Sequence, residues 1–190
     1  MATAEQNRAF KYLNPKSGCP GGCIEALSGV KDEEYDQIVK NALNSLNLKQ
    51  KALGKIGLDE DQLKEIPPVN FHGFHYKDDA TYRIGKDGRL RSSKYSATWL
   101  FFSSTQVYMY QYIFDLTEDS KKEKTEEYFY KDITNFSTNT ETIDVYGKKK
   151  EYNEFALVVP GDKFYCSMSG VADADQAISA MKQKLREKKG

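Results

Sequence analysis

The sequence predicts a mainly β protein, in which a helical N-terminal segment precedes an antiparallel sheet of about seven strands that a C-terminal helix caps. Three observations support this fold class. Apolar and polar residues alternate from Phe71 to Met168, with the period of strands. Apolar residues recur at helical spacing before Pro67 and again after Asp173. We therefore expect a helical segment over residues 1–66 and a β domain over residues 67–190.

The N-terminal segment contains two clear helical patterns. A short helix is predicted over Ala4–Leu13, because Asn14 precedes a proline and such residues avoid the α region. A longer helix is predicted over Asp32–Leu53, with Asp32 as its N-cap and an apolar stripe formed by Tyr35, Ile38, Val39, Ala42 and Leu46. A last short helix is expected from Asp59 to Ile66, and the Pro67-Pro68 pair marks the boundary with the β domain.

Turn residues divide the β domain into strands. Gly85–Gly88 indicates a tight hairpin, since glycine takes the positive φ that such turns need. Glu118–Lys124 is expected to form a charged hairpin tip. The last element is an amphipathic helix from Asp173 to about Lys188, whose apolar stripe covers the open end of the sheet. The predicted strands are Phe71–Tyr76, Tyr82–Ile84, Arg89–Arg91, Tyr95–Ser103, Gln106–Thr117, Glu126–Phe136, Glu141–Tyr146, Tyr152–Val159 and Lys163–Met168.

The composition argues against several functional classes. Lys and Arg total 28 and Asp and Glu total 28, so the chain lacks the basic excess of a typical nucleic-acid-binding protein. The N-terminus has no secretory pattern, and no run approaches the roughly 18 apolar residues of a transmembrane helix. Three cysteines do not suit a disulfide framework. We expect a cytoplasmic protein with reduced thiols, no cofactor and no nucleic-acid partner.

Three segments of the β domain carry a resemblance to a known family. They are TWLFFSSTQVYMYQYIF (Thr98–Phe114), the run Tyr130-Lys131-Asp132-Ile133-Thr134 within Thr125–Ser137, and FALVVPGDKFYCSMSG (Phe155–Gly170) followed by the final helix. These segments resemble the paired second and third strands, the aromatic-x-acidic-isoleucine-threonine segment and the closing elements of the small bacterial pleckstrin-homology-like domains. The likeness covers about the last two thirds of the chain. The basic residue that this family often carries after its second strand is absent, because Gln106 and Val107 stand there.

The resemblance implies a strongly bent, partly open antiparallel barrel that the C-terminal helix caps. Members of this superfold bind phospholipid headgroups, peptides or proteins, and many bacterial members self-associate. A shared fold does not by itself imply a shared function.

Two long strands are apolar on both faces. The strand after Gln106 carries tyrosines on one face, and Val107, Met109 and Ile113 on the other. A sheet with two apolar faces needs a cover on each. The N-terminal helices or a second copy of the chain are equally good candidates for the second cover. Tyrosine is common at interfaces, so we predict self-association or protein binding through Trp99, Phe101, Tyr108, Tyr110 and Tyr112.

A basic cluster surrounds the predicted hairpin. Lys86, Arg89, Arg91 and Lys94 resemble the lysine-x-arginine-x-arginine motif that binds headgroups in phosphoinositide-binding pleckstrin homology domains. Converging cations can hold a phosphate by charge-assisted hydrogen bonds. We therefore predict these four residues as a site for an anionic ligand or a phospholipid headgroup. The alternative is an ordinary solvated hairpin whose field Asp78, Asp79 and Asp87 dilute.

Cysteine and histidine pairs leave further alternatives open. Cys19 and Cys23 could form a thiol pair or half of a zinc site, with His72 and His75 as the remaining ligands. The two histidines are three apart in a predicted strand and so point to opposite faces, which argues against a metal site.

The sequence contains none of the common catalytic motifs, neither a nucleophile elbow, a phosphate-binding loop nor a His-Glu-x-x-His helix. We therefore predict a non-enzymatic binding or assembly module that acts through the aromatic strands. The alternative is binding of an anionic ligand at the basic hairpin.

Overall fold

The computed structural model describes residues 2–14, 29–57, 61, 63, 66–170 and 174–189. These residues form four α-helices: α1 (Ala4–Leu13), α2 (Asp32–Ser45), α3 (Leu48–Ile56) and α4 (Ala174–Lys189). They also form nine strands: β1 (Val69–His75), β2 (Tyr82–Ile84), β3 (Leu90–Ser92), β4 (Lys94–Phe102), β5 (Gln106–Asp115), β6 (Lys121–Phe129), β7 (Asn135–Val145), β8 (Lys148–Val159) and β9 (Asp162–Ser167). The mainly β class, with helices before the strands and one after them, is confirmed.

The predicted bounds of the first helix are confirmed. A capping box between Thr3 and Gln6 starts α1, and Asn14 ends it. The predicted single helix over Asp32–Leu53 is wrong, because Asn47 has a φ of 45° and interrupts the helical hydrogen bonds between α2 and α3. Asparagine is among the few residues that tolerate this left-handed conformation. The short helix predicted after Asp59 falls largely outside the described residues.

The strands form three antiparallel sheets. The order is β1-β4-β5-β6 in a four-stranded sheet and β7-β8-β9 in a three-stranded sheet, while β2 and β3 form a separate hairpin. Within the described residues these sheets do not close into a barrel. Gly88 has a φ of 76° in the turn of the β2–β3 hairpin, as the glycine signal predicted.

Three strand predictions need correction. The predicted strand Glu126–Phe136 is broken by a 3₁₀ turn at Tyr130–Asp132, through which the chain passes from the first sheet to the second. The predicted hairpin tip at Glu118–Lys124 is partly strand, because β6 already begins at Lys121. The predicted loops Thr138–Thr140 and Gly147–Lys150 fall largely within β7 and β8, which pair with each other as one long hairpin.

The first core lies between the two larger sheets and α4. It receives Leu100 and Phe102 from β4, Val107 and Met109 from β5, and Phe155 and Leu157 from β8, all essentially buried. Ile178, Met181 and Leu185 of α4 complete this core, so the predicted apolar stripe of the last helix is buried there.

The second core lies on the opposite face of the four-stranded sheet, beneath α1, α2 and α3. Helix side chains such as Tyr12, Tyr35 and Ala52 pack with the aromatic residues of β4 and β5. The chain's own helices therefore cover the second apolar face, which answers the choice between helices and a second copy.

The side chains predicted as an interface between chains lie in this second core. Phe101 and Tyr110 are fully buried, Tyr108 and Tyr112 are buried, and Trp99 is half-buried. These side chains are buried because the chain's own helices pack on this face of the sheet. A partner could reach these residues only if the helices moved away from the sheet.

One edge of the four-stranded sheet is engaged by the end of β9. The amide of Gly170 donates to the His72 carbonyl at 2.9 Å, and the Ser167 hydroxyl donates to the Phe74 carbonyl at 2.8 Å. A Cβ on Gly73 would lie 2.2 Å from the Ser169 hydroxyl and 2.8 Å from the Ser169 amide. Only glycine permits this close approach of β9 to β1.

Replacing Gly73 by alanine should therefore destabilise the protein by about 2 kcal/mol, because the added methyl group forces the two backbones apart. Gly54 in α3 is the matched control, since its Cβ would meet nothing within 4 Å and alanine favours helices by about 1 kcal/mol. Urea unfolding monitored by circular dichroism measures both changes. A neutral Gly73→Ala variant would show that the junction of β1 and β9 is looser than described.

The packing of the helical cover can be tested at Tyr35. Its ring stacks on Tyr12 with centroids 4.3 Å apart, and its hydroxyl donates to the Ser92 carbonyl at 2.7 Å. Tyr35→Ala should cost about 4 kcal/mol in the free energy of unfolding. Tyr35→Phe should cost about 1–2 kcal/mol, because it leaves the Ser92 carbonyl without its donor.

Phe10 is the control for this pair, since it lies on α1 and is 54% exposed. Phe10→Ala should change the free energy of unfolding by less than about 1 kcal/mol. An equal cost for Tyr35→Ala and Phe10→Ala in urea titrations would contradict the docking of the helices on the sheet.

Candidate functional site

Arg91, one of the four predicted ligand-binding residues, lies in the interior and is only 1% exposed. Its Nε donates to Asp36 Oδ1 at 2.7 Å, and its NH2 donates to Asp36 Oδ2 at 2.8 Å. The same guanidinium donates to both Asp87 oxygens, at 2.9 and 2.8 Å. Two carboxylates therefore hold Arg91 in bidentate geometry, so the assignment of Arg91 to ligand binding is corrected.

Asp32 extends this network to the hairpin turn and to α1. It is buried at the start of α2, where it was predicted to be a helix cap. Instead its carboxylate accepts hydrogen bonds from the Tyr12 hydroxyl at 2.6 Å and from the Lys86 amide at 2.7 Å. Arg83 also reaches α1, since its NH1 donates to the Tyr12 carbonyl at 2.6 Å.

The network shifts the ionisation of its members. Burial alone would lower the pKa of the Arg91 guanidinium, but hydrogen bonds to Asp36 and Asp87 raise that pKa above its ordinary value. The hydrogen bond from Arg91 holds the pKa of the Asp87 carboxyl well below its usual range. Burial and the hydrogen bond to Asp32 raise the pKa of Tyr12. Arg91 and Asp87 are therefore ionised at neutral pH, whereas the Tyr12 hydroxyl keeps its proton.

The other three basic residues of the predicted site do not converge. The Lys94 ammonium donates to the Asp78 carbonyl and lines a small cavity that Lys121 and Lys122 also border. Lys86 is exposed at the hairpin turn. Arg89 is largely exposed, with its NH1 3.5 Å from Asp36 Oδ2 of α2, and it borders a groove that β8 also lines. Of the four predicted residues, only Arg89 lines a large groove.

This groove, which we call the hairpin groove, has a volume of about 800 Å³ and lies between the β2–β3 hairpin, β8, the end of β9 and the first turn of α4. Its size is that of a typical ligand pocket. Its walls mix polar and charged side chains with aromatic ones, and the Tyr76 and Tyr152 rings are in contact at a centroid distance of 4.6 Å. The full set of lining residues is Phe74, Tyr76, Gly88, Arg89, Leu90, Lys150, Glu151, Tyr152, Asn153, Met168, Ser169, Ala174, Asp175 and Gln176.

The charges of the hairpin groove are balanced. Arg89 and Lys150 supply cations, and Lys150 Nζ lies 3.9 Å from the position of a Cβ on Gly88. Glu151 and Asp175 supply carboxylates. The Arg89 side chain is 63% exposed, with one long contact of 3.5 Å to Asp36. It can therefore reorient toward a ligand at little cost.

A smaller cavity of about 260 Å³ adjoins the hairpin groove and shares Arg89, Phe74 and Ser169 with it. His72 and Tyr95 face this cavity, with His72 Nδ1 and the Tyr95 hydroxyl 2.7 Å apart. Burial lowers the pKa of His72, so its imidazole is neutral at pH 7. Arg89 lies at the junction of the two spaces.

Of the residues considered for a zinc site, the structure describes only His72 and His75. His72 contacts Tyr95, and His75 Nε2 lies 3.3 Å from Asp78. Cys19 and Cys23 lie outside the described residues. Among the described residues no group of three or more His, Cys, Asp or Glu side chains is placed to hold a metal ion. The described helices also include none that is long and apolar enough to cross a membrane.

Sequence reasoning missed most of the hairpin groove. Lys150 was placed in a loop, and Tyr152 was assigned only to a strand. Both side chains lie on one face of β8, two residues apart, which the alternation of that strand could have indicated. Tyr76 and Met168 lie at strand ends 92 positions apart, and no local pattern joins them.

No protein-family model matches the chain, and neither the curated proteins nor the solved structures searched include a match.

Replacing Arg91 by methionine should destabilise the protein by about 3 kcal/mol at pH 7, because Asp36 and Asp87 lose their partner. The lowered pKa of Asp87 contributes stability above the ordinary carboxyl pKa of about 4, and this contribution is lost as the pH falls toward the lower native pKa. The difference between wild type and variant should therefore shrink at pH 3.

Urea titrations at pH 7 and pH 3 measure this difference. Arg89→Met is the matched control, since Arg89 is largely exposed and its loss should change stability by less than about 0.5 kcal/mol. A deficit of Arg91→Met that is the same at both pH values would argue against the ion pairs as its cause.

Proposed function

We propose that the protein is a non-enzymatic binding module that holds a polypeptide segment of a partner protein in the hairpin groove. The observation that supports this proposal is an aromatic groove with both cations and carboxylates among its lining residues. A polyanion would meet Glu151 and Asp175 as well as the cations. A peptide carries charges of both signs between apolar side chains, so it suits this lining better.

The expected ligand combines an acidic residue with an aromatic or aliphatic one. Its carboxylate would pair with Arg89 and Lys150, which border the same part of the hairpin turn. Arginine is well suited to this role because its planar fork binds a carboxylate through two hydrogen bonds. The apolar side chain of the peptide would lie on the paired rings of Tyr76 and Tyr152.

We propose in addition that the β domain has the pleckstrin-homology-like superfold. The succession of strands supports this assignment, with four antiparallel strands followed by three and by one C-terminal helix that packs on the core. In this interpretation the β2–β3 hairpin is an insertion after the first strand of the domain. The proposal concerns the fold alone, since the binding site is argued from the groove residues.

Fluorescence polarisation with two pools of labelled octapeptides tests the proposed function. In one pool each peptide has Asp or Glu next to Phe, Tyr or Leu, and in the other pool Lys replaces the acidic residue. The wild-type protein should bind the acidic pool at least about tenfold more tightly, since unlike charges meet in the groove. Arg89→Glu should remove this preference.

Lys149→Glu provides the matched control. Lys149 is exposed on β8 next to Lys150 but does not line the groove, so its reversal should leave binding unchanged. Melting temperatures verify that each variant is folded. Binding that is absent from both pools, or that is equal in wild type and Arg89→Glu, would contradict the proposal.

The same titrations include inorganic phosphate and vesicles with anionic phospholipid as separate probes. Binding of these probes without any binding of peptides would favour the alternative of an anionic ligand. Lys150→Glu should weaken that binding as well, because Lys150 supplies the second cation of the groove.

A further inference from the structure

The strand β6 lies at the edge of the four-stranded sheet and pairs only with β5 among the described strands. The Tyr130 amide donates to the Thr105 carbonyl at 3.1 Å, and the Asp115 amide donates to the Ser120 carbonyl at 2.9 Å. Backbone groups alternate in direction along an antiparallel strand. The even-numbered residues of β6 therefore direct their N–H and C=O groups toward β5, and the odd-numbered residues direct theirs away from the sheet.

Among the described residues, nothing pairs with the outward side of β6. Lys121, Glu123, Thr125, Glu127 and Phe129 are exposed. In the described part of the chain, no backbone hydrogen bond reaches the outward groups of these residues. An edge of this kind is a template for another strand.

Charge along this edge follows a definite order. Residues 121–127 read Lys-Lys-Glu-Lys-Thr-Glu-Glu, so two lysines begin the segment and two glutamates end it. Lys121 and Glu127 make no ion pair or hydrogen bond with the described residues. Lys122 and Glu126 make weak surface ion pairs, at 3.6 Å to Asp78 and 3.2 Å to Lys124, and the Tyr128 hydroxyl also interacts with Glu126.

We propose that β6 is a self-association edge, at which two copies of the chain pair their β6 strands antiparallel about a two-fold axis at Lys124. In this register Lys121 lies opposite Glu127 of the other copy, and Lys122 lies opposite Glu126. The symmetry axis repeats each pair, which gives four attractive contacts across the joint. The odd-numbered residues also face each other, so about eight backbone hydrogen bonds form.

Neighbouring registers are disfavoured by the same charges. An axis at Glu123 places Lys122 opposite Lys124 and Glu123 opposite itself. An axis at Thr125 places Glu123 opposite Glu127, which offsets the attraction between Lys124 and Glu126 in that register. In the register at Lys124, the only like charges that face each other are the two copies of Lys124. Each Lys124 ammonium already lies 3.2 Å from its own Glu126 and 3.8 Å above its own Phe164 ring. Charge thus selects one register for a second copy of this chain.

An unspecific protective role for the lysines is the competing explanation, since charged residues often keep edge strands apart. Such a role requires only a repulsive charge and no particular order. Two lysines at the start of the segment and two glutamates at its end make these positions complementary in the reversed strand, as antiparallel self-pairing requires. This order is expected of an edge that pairs with a second copy, and it is not needed by an edge that only repels other strands.

Sedimentation velocity over a range of protein concentrations tests the proposal. The wild-type protein should show a monomer–dimer equilibrium that weakens at high salt, because salt screens exposed ion pairs. Glu127→Lys should raise the dissociation constant by about tenfold or more, since two attractive pairs become repulsive. The double variant Lys121→Glu with Glu127→Lys should restore dimerisation, because the swapped charges are again complementary.

Lys149→Glu on β8 is the control for a charge reversal elsewhere and should leave the equilibrium unchanged. A wild type that stays monomeric at millimolar concentration would overturn the proposal. A dimer that Glu127→Lys does not weaken, or that the double variant does not restore, would overturn it equally, because the joint would then lie elsewhere.

Cross-linking supplies an independent measurement of register. Residues on the axis of a non-hydrogen-bonded pair have Cα atoms about 4.5 Å apart, within the range that a disulfide spans. Lys124→Cys should therefore form a covalent dimer on mild oxidation beyond the level seen for wild type. Thr140→Cys, at an exposed position of β7, is the control and should not cross-link. Equal cross-linking of the two variants would contradict the assigned register.

Discussion

The structure depends on one constraint, which is that β4 and β5 are apolar on both faces. Each side chain of this kind gains about 1.5–3 kcal/mol when it is buried, so neither face can be left in water. The sheet of β7, β8 and β9 with α4 buries one face, and α1, α2 and α3 bury the other. The four-stranded sheet is consequently the middle layer of the molecule. The helical segment is part of the same packed unit, even though its sequence pattern suggests a separate one.

Apolar contact alone does not fix how the helices lie on the sheet, because such contact is not directional. The hydrogen bonds and ion pairs around Arg91 fix the position of α2 relative to the β2–β3 hairpin. Asp36 of α2 holds the guanidinium, and Asp32 binds the hairpin backbone at Lys86. The β2–β3 hairpin is thereby clamped to α2, with its turn beside β8. Because Arg89 belongs to the same hairpin, this network also fixes the position of its backbone at the edge of the hairpin groove.

The sequence predicted the features that depend on the spacing of apolar residues within one element. Its predictions failed where a residue's structure depends on partners far away in the sequence. The bounds of α1, the apolar stripe of α4 and the two apolar faces of β4 and β5 were predicted correctly, since each depends on residues that are close in sequence. The polar run Thr138–Thr140 looked like a loop, yet it is strand because β8 pairs with it. The basic hairpin resembled one site, but Arg91 pairs with Asp87 in the same hairpin and with Asp36, which lies 55 residues away. Arg89 was predicted as a binding residue. The groove beside it was not predicted, because it is formed by segments far apart in the sequence that no local motif connects.

Once both faces of the central sheet are covered, its edges are what remains for contact with other molecules. At β1 the end of β9 already bonds the outward groups of His72 and Phe74. At β6 the described chain provides no such partner. The inner face of β6 still contributes to the core, because Tyr128 packs on Phe164 and the Lys124 ammonium lies over the same ring. Packing therefore accounts for where the charged side chains of this strand lie. Their order, with lysine before glutamate, is not required by that packing, and self-recognition is the property that accounts for it.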